Sequence, residues 1–141
     1  MTGNGKANGL PIRAVLDTNV LVSALIAPAG TCAAVLACAL RGEITPCYDG
    51  RIMAEYHEVL GRGRLALPAV RVKAVLDFIR AEGEVIVPPR LLSLAPDPDD
   101  TKFWEVASHL QALLVTGNGK HYPASELVVT PARLLAITGG A

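Results

Sequence analysis

The stretch Ile12-Arg13-Ala14-Val15-Leu16-Asp17-Thr18-Asn19-Val20-Leu21-Val22 decides how the rest of the chain is read. Ile12, Ala14, Val15 and Leu16 form an apolar, partly β-branched run that stops at Asp17. Apolar residues at consecutive positions suit a central strand covered on both faces, as in a parallel α/β sheet. Thr18 or Asn19 then caps a helix starting at Val20. This order of strand, aspartate, polar cap and helix puts the Asp17 carboxylate at the carboxyl end of a central strand, where open α/β sheets bind ligands. A plainer role for Asp17 is to help cap the helix.

Outward from that stretch, strands and helices alternate. Val20 to Ala27 is a short helix, and Thr31 caps a second, Cys32 to Leu40, closed by Gly42. The second helix is apolar nearly all round, which fits deep packing or a subunit interface. Ile44 to Tyr48 reads as a strand, and Asp49 caps a helix from about Arg51 to Leu60. Gly61-Arg62-Gly63-Arg64 makes a basic turn before a helix over Leu65 to Ala81 and a strand over Glu84 to Val87. Asp97-Pro98-Asp99-Asp100 opens a helix to about Gln111, with Asp97 as its cap. Ala112 to Thr116 and Leu127 to Val129 are the last strands, and Pro131 starts the final helix at its first position. The pattern predicts a three-layer α/β sandwich around a central, mostly parallel five-stranded sheet.

Composition sets the limits. A chain of 141 residues is one domain by length and needs no staples; with 51% hydrophobic but only 4% aromatic residues, its core must be aliphatic. The net charge of zero gives no global basic footprint, so any nucleic-acid surface must be local. Cys32, Cys38 and Cys47 lack C-x-x-C spacing and read as buried hydrophobes in a reducing compartment. Residues 1–11 read as a flexible Gly/Asn-rich leader and 12–141 as the folded domain. No apolar run reaches membrane-spanning length, so a cytoplasmic location without membrane partners is expected.

Three acids call for explanation. Glu55 lies at the edge of the apolar stripe Ile52, Met53, Tyr56, Val59 and Leu60, whereas Glu58 faces water. Asp100 precedes Phe103, Trp104 and Ala107 at inward helical spacing, although Asp99 also has apolar neighbours and the wheel does not separate the two. The fourth strand ends in Thr116-Gly117-Asn118-Gly119-Lys120-His121, at the same sheet edge as Asp17 if the strands are parallel. Its glycines lack Walker spacing and fit a turn needing positive φ. Clustered carboxylates repel one another unless a cation intervenes, and hard oxygen donors without paired His or Cys suit Mg²⁺ or Mn²⁺. Such an ion activates water and stabilises the leaving oxygen of a phosphodiester.

These blocks resemble the PIN domain, a metal-dependent ribonuclease fold found among toxins of bacterial toxin–antitoxin pairs. The likeness rests on Val-Leu-Asp-Thr-Asn-Val-Leu-Val-Ser (15–23), Glu-Tyr-His-Glu-Val-Leu (55–60), Asp-Pro-Asp-Asp-Thr-Lys-Phe-Trp-Glu-Val-Ala (97–107), Leu-Val-Thr-Gly-Asn (114–118) and Val-Val-Thr-Pro (128–131). The resemblance implies that Asp17, Glu55 and Asp100 are metal-binding and catalytic. Asn118 stands where many PIN domains carry a fourth aspartate, so the site loses one negative charge. Asn19 and Thr116 look like the residues that orient these carboxylates. The resemblance further implies an RNA substrate, a cognate antitoxin and a homodimer.

Arg51, Arg62, Arg64, Arg71, Lys73 and Arg80 crowd two helices and are a candidate RNA track, with Arg62 and Arg64 in the basic turn as the expected contacts. His121 near the cleft is a candidate proton shuttle, although a lone surface histidine more often has no such role; His57 and His109 have no partner spacing. A haloacid-dehalogenase-like phosphatase needs an aspartate where Asn19 stands, and a receiver domain needs paired acids after the first strand. The remaining alternative is a PIN-like domain that binds RNA or protein without cutting.

Overall fold

A computed structural model describes residues 6–7, 10–89 and 98–139. Strand β1 (Lys6–Ala7) pairs antiparallel with β2 (Leu10–Leu16), and the chain continues through α1 (Thr18–Ile26), α2 (Thr31–Leu40), β3 (Ile44–Tyr48) and α3 (Gly50–Leu60). There follow α4 (Ala69–Glu82), β4 (Glu84–Val85), α5 (Thr101–Leu110), β5 (Leu113–Val115), β6 (Val128–Val129) and α6 (Pro131–Thr138). Apart from β1 the sheet is parallel, in the order β4-β3-β2-β5-β6, with Ile12 opposite Ile44 and Leu16 opposite Val115. The chain builds outward from β2 to β3 and β4, then crosses to the other side for β5 and β6. The carboxyl ends of β2 and β5 are therefore the switch point of the topology, the position where α/β sheets bind ligands.

Six helices flank the sheet, giving the α/β sandwich that the periodicity predicts. α2 packs on both α1 and α6, while α3 packs on both α4 and α5. Ala14, Val15 and Leu16 are wholly buried on consecutive positions, because helices cover both faces of β2. The core is mostly aliphatic, with Tyr48, Tyr56, Phe103 and Tyr122 as its buried aromatics, and each fully buried Leu or Val contributes about 1.5–3 kcal/mol. Gly83, between α4 and β4, shows how tightly the layers meet. A Cβ there would stand 2.5 Å from the Ile79 carbonyl oxygen and 2.6 Å from that of Pro46.

Several boundaries differ from the sequence expectations. β2 begins at Leu10, and Lys6–Ala7 pairs with it, so part of the segment read as a leader joins the sheet. Helix α1 begins at Thr18 and is capped by Asp17, whose carboxylate accepts from the Asn19 amide at 3.3 Å. Gly30, not Thr31, is the cap of α2. Helix α4 starts at Ala69 rather than Leu65, because Pro68 lacks the N–H that a helix interior needs. Gly117 and Gly119 do not have positive φ; the glycines that do are Gly42 and Gly139, each just beyond a helix end. Asp97, read as the cap of α5, lies outside the described residues. A 3₁₀ turn over Pro98–Asp100 leads into α5, and the Asp100 side chain makes no capping bond. Among the described residues no single helix is long and apolar enough to cross a membrane; α1 and α2 together are, but they are bent by 103°.

Candidate active site

Asp17 is placed by the sheet. Its amide donates to the Val115 carbonyl at 3.0 Å, which locks the end of β2 against β5. Its side chain is only 5% exposed and is held from three sides. Asp17 Oδ2 accepts from the hydroxyls of Thr116 (2.8 Å) and Tyr122 (3.2 Å), while Oδ1 accepts from the Asn19 amide. The cap role is therefore real but occupies one oxygen only. Thr116 Oγ1 also accepts from the Asn118 amide at 3.0 Å, joining the end of β5 to the carboxylate. Among the described residues no basic side chain comes within ion-pairing distance of Asp17.

Glu55 points inward from the boundary of α3, at the edge of the stripe that buries Ile52, Met53 and Tyr56. Thr18 Oγ1 donates to Glu55 Oε2 at 2.5 Å, and Lys102 Nζ stands 2.7 Å from Oε1. Lys102 is itself only 16% exposed, and its ammonium also donates to the Asp99 carbonyl and lies 5.1 Å from the centre of the Phe103 ring. Asp100, freed from capping, places Oδ2 3.5 Å from Nδ1 of His121, an ion pair when the imidazole is protonated. Glu58 faces water and pairs with Arg62.

Tyr122 reports how these groups converge. Burial pushes its phenol well above the usual tyrosine range; the negative charges of Asp17, Asp100 and Glu55 each push it further in the same direction. Tyr56, fully buried with its hydroxyl on the Leu16 carbonyl at 2.6 Å, is raised by burial, then by Asp17 and Glu55. Both phenols stay protonated and act as hydrogen-bond donors, one to the Asp17 carboxylate and one to the backbone just before it. Beside this cluster a cleft of about 270 Å³ opens between α1 and the loop after β5, lined by Asn19, Val20, Val22, Ser23, Cys32, Gly117 and Asn118.

The donors (carboxylates, hydroxyls and the amide of Asn118) suit a hard cation such as Mg²⁺ or Mn²⁺. Among the described residues, however, no group of three or more His, Cys, Asp or Glu side chains closes around one point. Both oxygens of Glu55 already face protein donors. The chemistry of the set fits a divalent ion, while its present arrangement is closed by Lys102.

The expected RNA track is largely neutralised from within. Arg51 pairs with Asp49 and Glu105, Arg62 with Glu58, and Lys73 and Arg80 with Asp77. Arg64 and Arg71 are exposed, and among the described residues neither has an acid at ion-pairing distance. A second cleft, of about 360 Å³, lies between α3 and α4 along Leu60, Leu67, Val72 and Leu76, away from Asp17. Sequence reasoning named Thr18 only as a candidate helix cap and did not single out Lys102 or Tyr122. Thr18 and Lys102 lie inside the motifs already quoted, whereas nothing in the pattern around Tyr122 marks it.

A sequence model of the PIN domain matches residues 13–120, a span that contains Asp17, Glu55, Asp100, Thr116 and Asn118. No curated protein and no solved structure matches the chain. The fold, the switch-point aspartate and the family match agree: the chain belongs to the PIN domain family, whose members are generally nucleases.

Proposed function

We propose that this PIN domain is a Mg²⁺- or Mn²⁺-dependent endoribonuclease that hydrolyses phosphodiester bonds of RNA, acting as the toxin of a toxin–antitoxin pair. The observation that carries this reading is the buried Asp17 carboxylate at the switch point of the sheet, held by the hydroxyls of Thr116 and Tyr122 and the Asn19 amide. When bound, the divalent ion supplies the positive charge that acidifies water and steadies charge on the phosphodiester. Asp17 and Asp100 would hold it, with the Asn118 carbonyl oxygen assisting. Thr116, Tyr122 and the Asn19 amide fix the Asp17 carboxylate so that little reorganisation is needed. Glu55 would share the ion or take the proton of the attacking water. As water adds to phosphorus and one P–O ester bond breaks, the leaving oxygen needs a proton. His121, with Nδ1 3.5 Å from Asp100, would deliver it.

RNA would approach over Arg64, with Arg62 able to trade Glu58 for a phosphate, and seat a nucleotide in the cleft of Asn19 and Asn118. Homodimerisation is supported by Ile26, Leu40 and Ile137, which leave apolar side chains exposed on α1, α2 and α6. The family context supports a cognate antitoxin and a cytoplasmic location.

One observation favours a second reading. With Lys102 on Glu55 and Asn118 in place of an aspartate, the domain would bind RNA or a partner protein and cut weakly or not at all. Incubating a structured RNA pool with the protein plus Mn²⁺, Mg²⁺ or chelator separates the two. Cleavage that requires either metal supports the nuclease, whereas RNA retention without cleavage under every condition supports the binding module.

A further inference from the structure

We propose that Lys102 is a tethered cation that competes with the divalent ion: it holds Glu55 in the metal-free protein and must release that carboxylate before Glu55 can serve the metal. This rests on the metal-dependent reading above. Glu55 has two oxygens and both are engaged, Oε2 by the Thr18 hydroxyl and Oε1 by the Lys102 ammonium at 2.7 Å. The hydroxyl can stay beside a metal-ligating carboxylate, because it carries no charge and can turn its proton elsewhere. The ammonium cannot, because it has only protons to offer and would face a like charge across a partly dry site.

The position of Lys102 suits such an exchange. It lies two residues beyond Asp100, on the first turn of α5, so the helix that delivers one expected ligand also delivers the competitor of another. Its flexible four-carbon stem carries an ammonium that stands 5.1 Å from the centre of the Phe103 ring. Nζ also donates to the backbone carbonyl of Asp99, which water can replace at little cost. An arginine clamped in a bidentate fork would not leave so readily. Two consequences follow for metal binding. The metal-free protein is spared the repulsion among its acids, and the measured metal affinity is reduced by the cost of displacing Lys102. Lys102 is thus a positioning residue, acting through Glu55.

The test is direct Mn²⁺ binding, followed by electron paramagnetic resonance of the free ion, for the wild type, Lys102→Met and Lys102→Arg, with melting temperatures in chelator and in excess Mn²⁺. The expected result is tighter Mn²⁺ binding by Lys102→Met, by about tenfold, together with a lower melting temperature in chelator that Mn²⁺ restores. Lys102→Arg is expected to stay near the wild type or bind more weakly. Equal or weaker binding by a folded Lys102→Met overturns the inference and leaves the metal reading standing. Absence of Mn²⁺ binding by both wild type and Lys102→Met overturns the metal reading and this inference with it. Should Lys102→Met fail to fold, the wild type decides by NMR. On Mg²⁺ saturation the Lys102 side-chain Hε and Cε signals move toward those of a free lysine if the exchange occurs, and stay in place if it does not.

Discussion

Among the described residues two groups of acids have opposite characters. In the first, Arg51 on α3 bridges Asp49, which caps the same helix, and Glu105 on α5; the two acids are 4% and 2% exposed. Arg51 reaches Asp49 Oδ2 through two nitrogens and Glu105 through a third, while Asp49 Oδ1 accepts from the Ile52 amide. Donors and charges are matched, so the cluster joins α3 to α5. In the second, Asp17 stands at the switch point with a cleft beside it, Glu55 contacts Lys102 and Asp100 faces His121. Asp17 rests on neutral hydroxyls and a backbone amide. A buried carboxylate held by dipoles rather than by a cation keeps its charge available to something that binds. Acidic residues alone do not distinguish structure from function; the type of donor around them does.

Breaking the first cluster gives the largest expected effect. Arg51→Ala strands two buried carboxylates and is expected to lower stability by about 3–5 kcal/mol, measured by urea unfolding. The second cluster should respond in activity rather than stability. Thr116→Val removes the hydroxyl that Asp17 accepts from, together with the acceptor of the Asn118 amide, and is expected to lower metal affinity or cleavage about 10–100-fold. Its melting temperature should fall far less than that of Arg51→Ala.

Alkaline pH acts on the core shared by both regions. Burial pushes the Cys47 thiol from 9.0 to about 12. Above pH 9 the unfolded chain loses that proton while the folded chain keeps it. Stability is thus full below pH 9 and is lost as pH rises through the window up to about 12. At pH 10 this one group costs on the order of 1 kcal/mol. Tyr56 and Tyr122, raised for the same reason, steepen the decline. Unfolding free energies between pH 8 and 11 should fall, and Cys47→Ala should reduce the slope. The smallest effect is expected at the surface. Glu58→Gln breaks the exposed pair with Arg62 and should change stability by less than about 1 kcal/mol.

Much of this was legible in the sequence where one physical cause dominates. The consecutive apolar run of β2 can only be a strand buried on both faces, and its end fixes Asp17. Thr130-Pro131 starts α6 as expected, with Thr130 capping the Arg133 amide. The apolar stripe of α3 turns Glu55 inward and Glu58 outward. What was not legible depends on distant partners. Glu105 reads as an ordinary helix acid, yet it is buried because Arg51 lies 54 residues earlier in the chain. Tyr122 reaches Asp17 across 105 positions. Lys102 has the spacing of a solvated helix residue, and only the packing of α5 against α3 brings it to Glu55. The basic crowd on α3 and α4 misleads in the other direction, since composition does not reveal that most of those charges are already paired.

The most direct test of the central claim is RNA cleavage by Asp17→Asn beside the wild type at saturating Mn²⁺, with folding confirmed by circular dichroism. Asparagine keeps the shape and one acceptor oxygen, so the fold should persist while the negative charge is lost. Cleavage reduced by at least about a hundredfold is the predicted result. Undiminished cleavage by a folded Asp17→Asn would contradict the placement of the functional site at the end of β2.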